Sequence, residues 1–199
     1  MNRATAMRLS AAALFVFACS LFALGARWPG YSHLRHPVAL PGAAGMAGAW
    51  LFDAMVFVLP GALVARVAWW LRAALPAAAG WWPRIGANLL LLAALAIVAQ
   101  GLLPLDPEQL DGGGSRWHAS AWTAWLIAFA LGAPMFAQAP VAARAALRAG
   151  AMAVVLLALF GAVLLPAGLA QRLAFAGWFA WTWGAAGALR AGGGCRDAR

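Results

Sequence analysis

The chain has 199 residues, 65% hydrophobic and 10% charged, with a mean hydropathy of +0.82, whereas a soluble domain is about half apolar and about a quarter charged. With 14 basic and 5 acidic side chains it cannot cover a core of that size in water, which excludes a soluble globule and a disordered chain. The net charge of +9 is all arginine, since there is no lysine. Those arginines stand at the ends of apolar runs rather than in one stripe, so the basic balance reports membrane topology and excludes a nucleic-acid-binding module.

Spanning a hydrocarbon core of about 30 Å takes roughly 20 helical residues. Six runs meet that length, at 7–26, 47–71, 87–105, 119–138, 150–169 and 173–189, and each is apolar all round rather than alternating as a barrel strand would. The expectation is an all-α membrane protein, a compact bundle of six transmembrane helices forming a single domain over 1–189, with a basic Gly-rich cytoplasmic tail at 190–199. The connections are short, and only 27–46 leaves room for an ordered excursion.

Run 7–26 follows Arg3 and Arg8 and ends near Ala23-Leu24-Gly25, a pattern that also fits a cleaved secretory signal, and that alternative stays open. Arg3, Arg8, Arg66, Arg72, Arg84, Arg144, Arg148, Arg190, Arg196 and Arg199 fall on one side, against Arg27, Arg35, Arg116 and Arg172 on the other. The positive-inside rule then puts both termini in the cytoplasm of a bacterial inner membrane. Tryptophan agrees, with Trp28, Trp50, Trp117, Trp122 and Trp178 near the outer interface and Trp69, Trp70, Trp81 and Trp82 near the inner one. Cys19, within the first run, and Cys195, in the tail, are too far apart to pair.

The long first loop carries Tyr31-Ser32-His33-Leu34-Arg35-His36-Pro37. Asp53 stands one turn into the second run, where a carboxylate costs about 2.5–3.5 kcal/mol on insertion scales and needs a partner; Arg35, His36 and His118 share its leaflet. Pro60, Pro134 and Pro166 fall inside spans and are expected to kink them. Asp106-Pro107-Glu108-Gln109 has the form of a helix N-cap, Gly112-Gly113-Gly114-Ser115 that of a flexible turn, and Ser115 can cap the fourth helix just before His118. The polar groups Ser32, His33, Arg35, His36, Asp53, Asp106 and His118 are thereby expected to gather at the outer face as one possible site. His36, Asp106 and His118 supply N and O atoms of the kind zinc takes.

Phosphate-loop, His-Glu-x-x-His, Gly-x-Ser-x-Gly and Cys-x-x-Cys signatures are absent, so nothing points to a nucleotide or to a motif-bearing hydrolase. Tyr31-Ser32-His33 with His36-Pro37-Val38-Ala39-Leu40, Phe52-Asp53 with Phe57-Val58-Leu59-Pro60-Gly61, and Leu103-Pro104-Leu105-Asp106 followed by His118-Ala119 resemble the domain of unknown function 998 family of bacterial six-helix integral membrane proteins. The resemblance covers nearly the whole chain. It implies fold and topology rather than chemistry, places weight on Asp106 and His118, and implies Asn at the position held here by Asp53. Two function classes follow. One is a membrane protein without a cofactor that binds lipid or a membrane partner through the outer polar cluster. The other is an outward-facing metal-dependent hydrolase, zinc being the metal, acting on a lipid ester or amide.

Overall fold

The computed structural model describes residues 1–109 and 111–189; the tail expected at 190–199, with Cys195, lies outside them. Among the described residues there is no strand, only an isolated bridge between Val141 and Leu189. Six long helices account for the described residues' fold: α1 (Arg3–Gly25), α2 (Ala49–Ala73), α3 (Trp81–Leu102), α4 (Gly113–Phe136), α5 (Arg144–Leu164) and α6 (Ala167–Ala188). The first five are long and apolar enough to cross a membrane. The last is as long, but Gln171, Arg172 and its glycines and tryptophans dilute its apolar content.

Each helix packs on its neighbours in sequence, and α6 returns to α1 and also reaches α2, so the helices close a ring. Two kinds of contact hold it. Between α3 and α4 the backbones nearly touch: a Cβ at Gly86 would run into the backbone of Phe136 and stand 2.8 Å from the Gly132 carbonyl, and one at Gly132 would stand 3.0 Å from the Gly86 carbonyl. In lipid such close approach is a main source of helix association. Around α6 the gap is wider and rings fill it. Phe17 meets Phe179 at 5.1 Å, Trp125 meets Phe175 at 5.0 Å and Phe129 meets Trp181 at 5.2 Å, separations at which aromatic pairs attract beyond their buried area.

Several expectations are corrected. α6 begins at Ala167 rather than at 173, because Gln171 and Arg172 break the apolar run without breaking the helix. Pro166 kinks no span; Leu165 turns extended and Pro166 opens α6, where a missing N–H is harmless. The Gly112-Gly113-Gly114-Ser115 stretch enters the first turn of α4 rather than forming a flexible turn, and Ser115 lies inside that helix rather than capping it. Trp178 is fully buried among Trp125 and Phe179 rather than at an interface. Trp50 and Trp117 are exposed at the end that carries the first loop, and Trp69, Trp81 and Trp82 at the opposite end. α1 buries Ala6, Ala13, Phe17 and Leu21 in the common core, as an integral member of the ring.

Candidate functional site

The loop 26–48 folds over one end of the ring and is fastened there by backbone groups rather than by helix. The Leu34 carbonyl accepts from the Leu169 N–H at 3.1 Å, satisfying one of the free donors in the first turn of α6. The Val38 N–H donates to Gln171 Oε1 at 3.0 Å. Arg172 Nη1 donates to the carbonyls of His36 at 3.0 Å and Gly168 at 2.6 Å, and Nη2 donates to the Tyr31 hydroxyl. Tyr31 in turn donates to the Pro37 carbonyl at 3.2 Å. The chain approaches so closely that a Cβ at Gly168 would stand 2.5 Å from the His36 carbonyl. Further along, Ala44 N–H donates to the Leu105 carbonyl at 2.7 Å, tying the loop to the end of α3.

Beneath this cover, between α2, α3, α4 and α6, lies a cavity of about 330 Å³ whose walls are Phe57, Trp122 and Phe175 and whose polar groups are Gln100, His118, Thr123 and Gln171. The His118 ring is held by a 2.9 Å hydrogen bond between Nδ1 and the Leu103 carbonyl. A carbonyl only accepts, so Nδ1 carries the proton and the neutral ring keeps an acceptor at Nε2. Thr123 donates to the Ala119 carbonyl at 2.9 Å. Gln100 is 1% exposed, and its Nε2 has no hydrogen-bond partner. A buried amide left without a partner costs about 1–3 kcal/mol, so a group that accepts from it would be held.

Of the seven polar groups expected to gather at the outer face, His118 alone lines this cavity. His36 gives its carbonyl to Arg172 and its Nδ1 to the Ser32 N–H at 3.0 Å. His33 lies against Phe22 and Tyr31, at 4.7 and 5.0 Å between ring centres, beside α1. Burial pushes the His33 imidazole below its usual range, and the Arg172 charge adds to that. Burial pushes the Tyr31 phenol up, although Arg172 opposes it, so Tyr31 stays neutral. Arg35 is exposed. Asp53 is buried at 6% exposure, and its carboxyl lies directly over Gly42 of the loop. It makes no hydrogen bond to Arg35, His36 or His118, its expected partners. Asp106 caps no helix: its Oδ1 accepts from the N–H groups of Glu108 at 3.0 Å and Gln109 at 3.3 Å in a local turn. Its backbone is clasped by Ser115 Oγ, which accepts at 3.0 Å and donates at 2.9 Å. Pro107 and the glycines after it favour that turn over a helix. His36, Asp106 and His118 therefore do not meet, and among the described residues no three His, Cys, Asp or Glu side chains are placed to hold a metal ion.

Gln100 and Gln171 are the residues that sequence reasoning missed, whereas Tyr31 and Arg172 were noted, the one in the loop motif and the other among the outer arginines, but not as members of the site. The signal for Gln100 was its place inside an apolar run, where an amide needs an explanation as much as a carboxylate does. For Arg172 the signal was hidden by starting the last run just after it.

A family model described as protein of unknown function (DUF998) matches residues 10–188. The chain belongs to that family, as the Tyr31-Ser32-His33, Phe52-Asp53 and Asp106 to His118 motifs implied. Comparison with curated proteins and with solved structures gave no match.

Proposed function

We propose that this multi-pass member of the family spans the bacterial inner membrane six times with both termini in the cytoplasm, and that the cavity beneath its first loop binds an uncharged membrane amphiphile. Arginine asymmetry supports the orientation. For the sixth span, 22 residues at 1.5 Å each give roughly 33 Å, enough to cross. Its two polar residues near the start are turned into the loop rather than toward lipid.

The observation that carries the ligand reading is the unpartnered Nε2 of Gln100 beside the cavity. It supplies a donor, His118 Nε2 an acceptor, and the aromatic walls a place for hydrocarbon. A hydroxyl or N–H-bearing amide head, which both accepts and donates, with a short apolar tail satisfies all three. The hydrolase alternative has less support, because Asp106 is consumed by its own turn and no ligand triad converges among the described residues.

The test is thermal unfolding of the purified protein in a non-ionic detergent, titrated with 1-decanoylglycerol. The additive is expected to raise the midpoint of the parent. Gln100→Leu removes the unpartnered amide, so it is expected to raise the midpoint without ligand and to weaken the ligand response about tenfold. An unresponsive parent, or a Gln100→Leu variant that responds as the parent does, overturns the proposal.

A further inference from the structure

The cavity that holds His118 is closed above and open at one side. Its roof is the loop, where Val38 and Ala39 are 1% and 8% exposed. That roof is fastened by the Val38 N–H to Gln171, the Leu169 N–H to the Leu34 carbonyl, and Arg172 to the His36 carbonyl. The far walls are equally enclosed, Phe57 and Phe175 being 1% and 3% exposed. The wall along α4 differs. Ala119 and Thr123 are exposed and Trp122 is half-buried, yet all three line the cavity. Residues that border both the cavity and the outside stand at its mouth, and Pro37, also exposed, marks the edge of that mouth nearest the loop.

The depth of the mouth decides what it opens onto. α4 has 24 residues, roughly 36 Å, and starts at Gly113 on the loop side. At 1.5 Å per residue Ala119 lies roughly 9 Å and Thr123 roughly 15 Å below that start, so Thr123 falls within a hydrocarbon core about 30 Å thick. α5 contributes no described residue to the wall. Its loop-side end is bare, with Val163 and Leu164 79% and 87% exposed, and among the described residues nothing seals the cavity between α4 and α6 at that depth.

We propose that this mouth is a lateral portal to the bilayer leaflet on the loop side, through which a neutral single-chain lipid with a hydroxyl-bearing head enters head first and leaves its chain among the surrounding lipids. The proposal rests on the ligand reading of Gln100 and His118 and adds the source of the ligand, its orientation and its tolerance of chain length. The head is drawn in by the unpartnered Gln100 amide and the His118 acceptor. The chain passes Ala119 and Thr123, which are four residues apart and share a face of α4. Thr123 gives its hydroxyl proton to the Ala119 carbonyl at 2.9 Å, so its donor is spent on its own helix rather than offered to the chain.

The experiment measures the unfolding midpoint of the full-length protein in non-ionic detergent with 1-acetylglycerol, 1-decanoylglycerol and 1-oleoylglycerol as separate probes. The two long-chain lipids are expected to raise the midpoint with affinities within about threefold of each other at equal mole fraction in the detergent. 1-Acetylglycerol, which stays in water, is expected to give no shift. Ala119→Trp places an indole across the mouth from an exposed position. It is expected to keep the parent's midpoint without lipid and to weaken the response to both long-chain lipids at least about tenfold. Thr123→Trp, one turn deeper, is the second variant should Ala119→Trp fold poorly, and the same loss is expected of it. A parent that responds to none of the three overturns the ligand reading and this proposal with it. A parent that responds to 1-decanoylglycerol but not to 1-oleoylglycerol keeps the ligand reading and overturns the portal, because the chain is then enclosed. A response to 1-acetylglycerol equal to that of the long-chain lipids overturns the bilayer as source, and tryptophan variants that respond as the parent does refute the mouth.

Discussion

Gly42 and Asp53 offer the sharpest test of how the loop is seated. Gly42 ends a short 3-10 turn, Leu40–Gly42, and faces the buried carboxyl of Asp53 on α2. In Gly42→Ala the new methyl overlaps Asp53 Oδ1 and comes to 2.6 Å from Cγ and 3.0 Å from Oδ2. Real Cβ contacts do not fall under 3 Å, so something must move. The carboxyl is short and enclosed, and the turn cannot lift freely because Ala44 is tied to the Leu105 carbonyl at 2.7 Å. Overpacking of this kind costs typically about 1–3 kcal/mol. At the 2–4 °C per kcal/mol of soluble chains of this length, that lowers the unfolding midpoint by roughly 2–12 °C. Asp53→Ala removes the obstruction, so the double variant is expected to be less destabilised than the sum of the two singles by about 1 kcal/mol or more. Circular dichroism melts of the four proteins in one detergent measure both quantities. A Gly42→Ala midpoint equal to the parent's, or strict additivity, would show that the loop is not seated on Asp53 and refute the reasoning.

Asp53→Asn keeps the shape and discards the charge, and no described cation pairs with Asp53, so its midpoint is expected to equal or exceed the parent's; a loss above about 1 kcal/mol would reveal an anionic role. For His33 the folded pKa lies below the unfolded one, so its contribution to stability is complete above the ordinary histidine range and declines as the pH falls through it. His33→Gln is expected to flatten that part of a midpoint profile taken between pH 8 and 5, and an unchanged slope would remove His33 as its source. For the proposed topology, a membrane-impermeant thiol reagent applied to intact cells is expected to leave Cys195 unlabelled, with labelling appearing once the inner membrane is opened. Mass spectrometry of the mature chain is expected to retain α1, given that Phe17 and Leu21 are part of the common core; loss of about 25 residues would show a cleaved signal.

The helices were legible because burial in lipid leaves long apolar runs with no competing reading. Their ends were less so, since a helix continues past the last apolar residue wherever a partner receives its polar side chains, as the loop receives Gln171 and Arg172. The candidate site was half legible. His118 was visible as a titratable group at a helix start, but the group it accompanies is Gln100, an amide with no charge to draw attention. Asp106 illustrates the opposite error. Asp-Pro-Glu-Gln satisfies the local chemistry of a helix start, yet the same carboxylate closes a turn equally well, and only the position of Ser115 decides between them. Asp53 stood out by its insertion cost, but what meets it is the bare backbone of Gly42, which no pattern of polar residues could announce.

Within α2, residues Ala54–Val58 form a π turn, with the Leu59 N–H bonded to the Ala54 carbonyl one residue further back than in an α-helix and Pro60 immediately after. Such a turn amounts to one extra residue threaded into the helix. Everything on its loop side is therefore rotated by about 100° relative to an unbroken α2. That phase shift lets Asp53 face Gly42 while Val64, Val67 and Leu71 face the core. Deleting a single residue from 54–58 would restore a regular helix and leave either end of α2 looking the wrong way. A relative lacking that residue would have to present a different side chain to the loop, so the position of Asp53 is a property of the register of α2 rather than of the aspartate itself.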